Sequence, residues 1–266
     1  MTTITTLINI FVVKDFREHI HHLLERFKNK DNFAYSRFSD GELRIMQNKE
    51  LKLAADHNII GDARAPERYF KEDHKHFDPS KHSFYRDRLM DAYRYLHDDY
   101  YVGLCCRCCV GDSDFQQMID WYKGDPASPN LTWANLFLNG NYPFFMDEFV
   151  PEFSSRDVVY VVNENANLQN LPFSVKKDFR VGPNCIINDY NLTKEVHKWI
   201  VDNNIRDHLF LFSASTLSNF MIHQLFKECP HNTYLDIGTT LNPHLGMQAL
   251  RAYHTGGHCV TRMCVW

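Results

Sequence analysis

The chain has 266 residues, 44% apolar and 23% charged, so it can bury a full core without disulfide staples and is neither a mini-protein nor a fibrous or low-complexity sequence. Lys and Arg number 29 against 33 Asp and Glu, a formal net charge of −4, which speaks against a sequence-independent grip on nucleic acid phosphates and leaves room only for local anion sites. There is no run of about 18 apolar residues, and Met1 to Asn9 lacks the charge and apolar core of a signal peptide, so the expectation is a cytoplasmic chain with free thiols and no membrane span.

Phe16, Ile20, Leu23, Leu24 and Phe27 recur at helical spacing and predict an amphipathic helix over 14–30, with His19, His21 and His22 as solvated positions. Residues 33–38 form a short strand, Ser39-Asp40-Gly41 a tight turn, and 42–47 the start of a helix. The polar stretch 49–83 shows little periodicity and is expected as a long loop with local helical turns, the kind of segment that acts as a lid or binding loop. Leu89, Ala92, Tyr93 and Leu96 mark a helix over 84–97.

Four of the eight cysteines crowd into Cys105-Cys106-Arg107-Cys108-Cys109. Cys105/Cys108 and Cys106/Cys109 have zinc-knuckle gaps, but the nearest further donors, His254, His258, Cys259 and Cys264, lie about 150 residues on in no standard spacing. Residues 100–110 are therefore read as a buried strand that uses Cys as a small hydrophobe. A helix follows over 112–122, with Asp112 or Ser113 as its cap, and the stretch from Gly124 to Asn141 is the one candidate subdomain boundary. Beyond it, the β-branched run 157–163, a helix over 192–201, a strand over 208–213, a helix over 216–228 and a strand over 233–237 alternate as in a βαβ array. The fold class is α/β: a mostly parallel, Rossmann-like sheet flanked by helices in a single domain.

Ligands of such sheets bind beyond the carboxyl ends of the strands. In the first of these loops, Asp40 and Glu42 are two oxygen donors of the kind that hold Mg²⁺ or Mn²⁺, and Arg37 offers a planar fork to a phosphate. The plainer reading of the same residues is a helix start, with Asp40 capping and Glu42 opposing the dipole. Ser213-Ala214-Ser215-Thr216 leads a strand into a helix and can form an anion site or a simple N-cap. Asp236, Gly238 and Thr239 close the next strand, and Asn163 and Glu164 follow the β-branched run, where a base or ribose could meet them. The dinucleotide fingerprint, the P-loop and the G-x-S-x-G elbow are all missing.

Ser36-Arg37-Phe38-Ser39-Asp40-Gly41-Glu42-Leu43 is similar to the R-F-G-D-G-E signature of glycosyltransferases with the GT-D fold, and Tyr234-Leu235-Asp236-Ile237-Gly238 resembles their late D-I-G strand end. The resemblance implies a transferase that moves a sugar from a nucleotide-diphosphate donor, a UDP-sugar, to a glycan acceptor hydroxyl, inverting and dependent on Mn²⁺ or Mg²⁺. It implies one domain, with 33–123 as the metal and donor half and 157–246 as the nucleotide half. Asp40 and Glu42 would hold the metal, and Arg37, Ser39, Asn163, Glu164, Ser213, Ser215, Asp236, Gly238 and Thr239 would line the donor site. Ser39 departs from the pattern, which has Gly there. Candidates for the base that deprotonates the acceptor are Asp73 and Asp78, in the long polar segment, and Asp236. Trp133, Asn139, Asn141 and Tyr142 combine aromatic faces with amides, as sugar sites do, although core packing of Trp133 and Phe137 explains them equally well. Two other readings stay open: a zinc-binding interaction module built on 105–109, and a metal-dependent phosphoesterase using Asp40 and Glu42.

Overall fold

The computed structural model describes residues 14–53, 75–249, 251–256 and 263–266. The Asp15 carboxylate accepts hydrogen bonds from the N–H groups of Arg17 and Glu18 and so starts α1 (Phe16–Lys28), whose apolar stripe is buried as its spacing requires. His19 and His22 are not simply solvated: their rings bond the hydroxyls of Thr132 and Tyr101, and burial depresses both pKa values, that of His19 to about 4.

β1 (Ala34–Phe38) runs into α2 (Asp40–Met46). The two ends of the segment expected as a loop form β2 (Leu51–Leu53) and β3 (Lys75–Phe77), an antiparallel pair that buries Leu51 and Phe77, while the stretch 54–74 between them, on which the loop expectation chiefly falls, lies outside the described residues. Three-residue strands carry too little alternation to be read from sequence. α3 (Ser83–Arg94) leads to β4 (Tyr100–Leu104), which is shorter than the cysteine strand expected over 100–110. After Leu104 the chain makes one helical turn, α4 (Arg107–Val110), and Gly111 at φ +85° stops it before α5 (Asp112–Trp121).

β5 (Leu131–Trp133) pairs in parallel with β4, so the expected subdomain boundary at 124–141 lies inside the main sheet. A helical stretch that begins with α6 (Tyr142–Phe144) leads to β6 (Val158–Asn163). β7 (Val175–Val181) was not foreseen, because its Lys-rich, half-exposed sequence is that of a protected edge. α7 (Cys185–Asn188), α8 (Leu192–Asp202), β8 (Leu209–Phe212), α9 (Leu217–Glu228) and β9 (Thr233–Asp236) complete the order.

The seven main strands form one parallel sheet in the order β5-β4-β1-β9-β8-β6-β7. α3, α5, α8 and α9 pack on one face, and α1 with Phe145, Phe149 and Phe153 on the other. Among the described residues no helix is long and apolar enough to cross a membrane.

The centre of the sheet positions the site. β1 is paired with β4 along its whole length, to Phe38↔Leu104, but with β9 only at Ala34↔Tyr234 and Tyr35↔Leu235. The two strands therefore part before their carboxyl ends. The chain then leaves β1 for the α9 face, through Leu43 and Met46, and leaves β9 for the opposite face, through Leu241 and Leu245. This is a topological switch point, where a parallel sheet opens a crevice for ligands.

Candidate functional site

The crevice is built around a buried cation. Arg37 Nε donates to the Ala134 carbonyl at 2.6 Å, Nη2 lies 3.5 Å from Ser39 Oγ, and Nη1 stands 3.9 Å from Asp236 Oδ1, with both side chains about nine-tenths buried. Burial pushes the Asp236 carboxyl up to about 7, partly offset by the charge of Arg37 and raised further by that of Glu42. Asp236 Oδ1 also accepts the Gly238 N–H at 3.0 Å, which curls the chain after β9 into a left-handed turn, φ +53° at Gly238. That conformation suits glycine, and the close approach demands it, since a Cβ here would sit 2.0 Å from Arg37 Nη1.

The two acids of the first loop separate. Ser39 caps α2, so Asp40 and Glu42 are its first and third residues, and side chains two apart on a helix do not face each other. Asp40 is exposed at the surface. Glu42 is buried: its Oε2 accepts the Ser39 N–H at 2.9 Å and its Oε1 the Thr216 hydroxyl at 2.6 Å. Of the two readings the sequence offers, a tight turn with converging carboxylates and a helix start, the helix start is the one that forms, with Ser39 rather than Asp40 as its cap. The positive end of α9 expected to hold a phosphate is thereby met by a protein carboxylate at its cap, Thr216. The donors fit a hard cation in part: Asp40 presents a carboxylate outward, and Glu42 is engaged in holding two helix starts together.

That tie predicts a measurable cost. Thr216→Val, which keeps the shape and removes the hydroxyl, leaves a buried carboxylate oxygen unpaired and is expected to lower stability by about 2–3 kcal/mol. Urea unfolding measures it, and Thr216→Ser should recover most of the loss.

Of the other donor-site candidates, Ser213 Oγ donates to the Gly238 carbonyl at 2.5 Å and takes the Tyr160 O–H at 2.9 Å, which binds the β8 and β9 loops to each other. Ser215 has φ +52°, and its hydroxyl is buried with no protein partner. Thr239 bonds the Tyr253 hydroxyl at 2.5 Å, and its carbonyl meets His254 Nε2 at 2.9 Å. Asn163 accepts the Asn165 N–H, while Glu164 lies beside Gly182, both at the β6 end of the same sheet edge and farther from Arg37 in strand order.

The expected acceptor patch breaks up. Trp133 and Asn141 are fully buried, the indole against Phe16, His19 and Trp266 and the amide on the carbonyls of Phe16 and Leu136, so neither reaches a sugar. Trp133 lies in β5, within the sheet, and its burial is the core packing that the sequence equally allowed. Asn139 Nδ2 donates to Cys264 Sγ. Tyr142 is half-buried, donates to the Thr240 carbonyl at 3.0 Å and packs on Tyr253, so it alone of the four stands by the strand ends.

Asp78 accepts from the Ser80 hydroxyl and N–H and pairs with Lys81, which hold its carboxyl down to about 2 and make it a turn residue rather than a base near neutrality. Asp73 lies outside the described residues. The sequence reading missed Asn219, whose amide donates to Ser36 Oγ and the Arg37 carbonyl from within α9, and Tyr253. A buried Asn inside an apolar helix stripe was the available signal for the first. A surface hollow of about 320 Å³ lined by Met46, Gln47, Arg86, Asp114 and Trp121 contains none of the strand-end residues.

A single α/β domain whose parallel sheet opens at this switch point matches a glycosyltransferase fold. No family model and no curated protein matches the sequence. Solved structures do. One, described as the highly conserved domain of unknown function 1792 with a distinct glycosyltransferase fold, is 14% identical with a TM-score of 0.53, covering 90% of this chain and 81% of its own. Another, described as a new glycosyltransferase of the same domain type from Streptococcus sanguinis, is 14% identical with a TM-score of 0.54, covering 90% and 84%.

Proposed function

We propose that the chain is a glycosyltransferase that takes a sugar from a nucleoside diphosphate donor, a UDP-sugar, and passes it with inversion to a hydroxyl of a carbohydrate acceptor. The observation that carries this reading is the buried Arg37 and Asp236 at the β1/β9 switch point of a sheet that shares a glycosyltransferase fold. Arg37 supplies fixed positive charge where a departing diphosphate would gain negative charge, and Ser215 a buried hydroxyl in need of a partner.

In the reaction, the acceptor oxygen bonds to the anomeric carbon as the bond from that carbon to the diphosphate oxygen breaks. The diphosphate leaves with the electron pair, and the acceptor proton passes to a carboxylate. Of the candidate acids among the described residues, Asp236 is the one assigned to that proton, because Asp78 is engaged in its turn. Mn²⁺ or Mg²⁺, when bound, offsets charge on the departing diphosphate; Asp40 would hold it, with Glu42 fixing the loop.

Saturating UDP with Mn²⁺, at about a hundred times Kd, should stabilise the fold by about 2.7 kcal/mol, roughly 5–10 °C in Tm for a chain of this length. Asp40→Ala should remove the part that depends on metal. No shift with any nucleoside diphosphate would overturn the reading. Transfer of labelled sugar to an acceptor, rather than release of a sugar phosphate, separates it from a phosphoesterase.

A further inference from the structure

The cysteine run does not stay alone. The chain's last described segment, 263–266, returns to the loop after β4, where Trp266 packs on Trp133 at 5.0 Å and on Phe115 at 5.6 Å. This brings Cys264 onto the cysteines of α4. The Sγ atoms of Cys106, Cys108 and Cys264 all lie within 4.8 Å of one another, and Cys109 Sγ stands 3.1 Å from that of Cys106. None of the four is in a disulfide. Cys105, by contrast, points away and donates to the Phe38 carbonyl.

We infer that Cys106, Cys108, Cys109 and Cys264 bind a Zn²⁺ ion as a structural site that clamps the C-terminal segment to the loop after β4. Zinc–sulfur bonds of about 2.3 Å place tetrahedral thiolates roughly 3.8 Å apart, a separation the sulfurs of Cys106, Cys108 and Cys264 reach by small adjustments, with Cys109 drawn in from its contact with Cys106 as the fourth ligand. Two side-chain amides already aim at the cluster: Asn135 Nδ2 donates to Cys109 Sγ at 3.3 Å and Asn139 Nδ2 to Cys264 Sγ at 3.4 Å. Such donors are the outer partners that metal-bound thiolates take.

Cys106 and Cys264 are buried, Cys108 is partly buried and Cys109 is exposed, so the site stands at the surface with four thiolates to fill a tetrahedral shell. Binding exchanges the thiol protons for the metal and needs no oxidant. The distant donor that no standard spacing offers is thus supplied by the fold, which returns Cys264 to the cysteine run. Because Cys105 rests on Phe38, next to Ser39 and Asp40, the clamp also braces the first loop of the candidate site.

The test is metal analysis and cobalt substitution of the full chain. Protein purified without chelator should retain about one zinc per chain, and Co²⁺ in its place should give a sulfur-to-cobalt charge-transfer band together with intense tetrahedral d–d bands. Cys108→Ser and Cys264→Ser should weaken or abolish these bands, while Cys229→Ser and Asp40→Ala should leave them intact. The inference is overturned if the wild-type chain holds no zinc and gives no charge-transfer band, or if peptide mapping of the native protein finds a disulfide among the four. The wild-type cobalt spectrum decides even where a variant fails to fold, and its outcome does not depend on the transferase reading.

Discussion

Gly238→Ala is expected to cost on the order of 3–5 kcal/mol of stability and to abolish nucleotide binding. Two terms add. The positive φ of +53° costs an L-residue about 1–2 kcal/mol. The new Cβ would also lie 2.0 Å from Arg37 Nη1 and 3.2 Å from Cζ. A long side chain can often swing from such a clash, but this guanidinium is pinned by the Ala134 carbonyl at 2.6 Å and is only 11% exposed. Moving it separates a buried cation from Asp236, and broken buried pairs carry the larger penalty. Urea unfolding of Gly238→Ala measures the sum. The double variant with Arg37→Met, which has no charged end to displace, should lose less than the two single costs together. A midpoint for Gly238→Ala within about 0.5 kcal/mol of wild type would show that Arg37 moves freely and is no fixed anion site.

How much of this was legible in the sequence depends on where each property is encoded. α1, β1, α3, α5, β6, α8, β8, α9 and β9 announce themselves because each carries a full period of buried residues. β2, β3 and β5 are three residues long and take their pairing from neighbours, so no local pattern records them. β7 hides behind the charges that protect its edge.

The strand-end rule picked out Arg37, Ser213, Ser215, Asp236 and Gly238, which lie at or just beyond the ends of the neighbouring strands β1, β8 and β9. What the sequence could not supply is direction. Whether Asp40 and Glu42 converge turns on a single residue in the start of α2. Whether Trp133 and Asn141 face a sugar or the core turns on β5 and its packing against α1. The cysteines show the same limit at long range, since the partner of Cys106 lies on a segment whose path only the fold defines.

Asp236 gives the second large effect, with a sign opposite to that of ordinary surface acids. Its carboxyl is pushed from 3.8 up to about 7 by burial, with the charge of Arg37 and the N–H groups of Gly238 and Arg37 pulling the other way. The folded state therefore holds this proton more tightly than the unfolded chain. The stability that follows is fully present below about pH 4 and is lost as pH rises through about 7. At about 1.36 kcal/mol per pH unit, the group should withdraw about 3 kcal/mol between pH 5 and pH 8.

Other groups titrate in the same window, so the comparison is with Asp236→Asn, which keeps the shape and cannot ionise. The stability of Asp236→Asn relative to wild type should rise by about 3 kcal/mol from pH 5 to pH 8 in urea unfolding. An equal difference at both values would mean that Asp236 keeps one protonation state from pH 5 to pH 8, which would overturn the raised carboxyl and the pH dependence drawn from it. If the slope is found, the form able to accept a proton is the one that the fold tolerates least. Transfer should then rise with pH through about 7 while stability falls, and Arg37 is the group that keeps the ionised carboxylate inside the sheet edge.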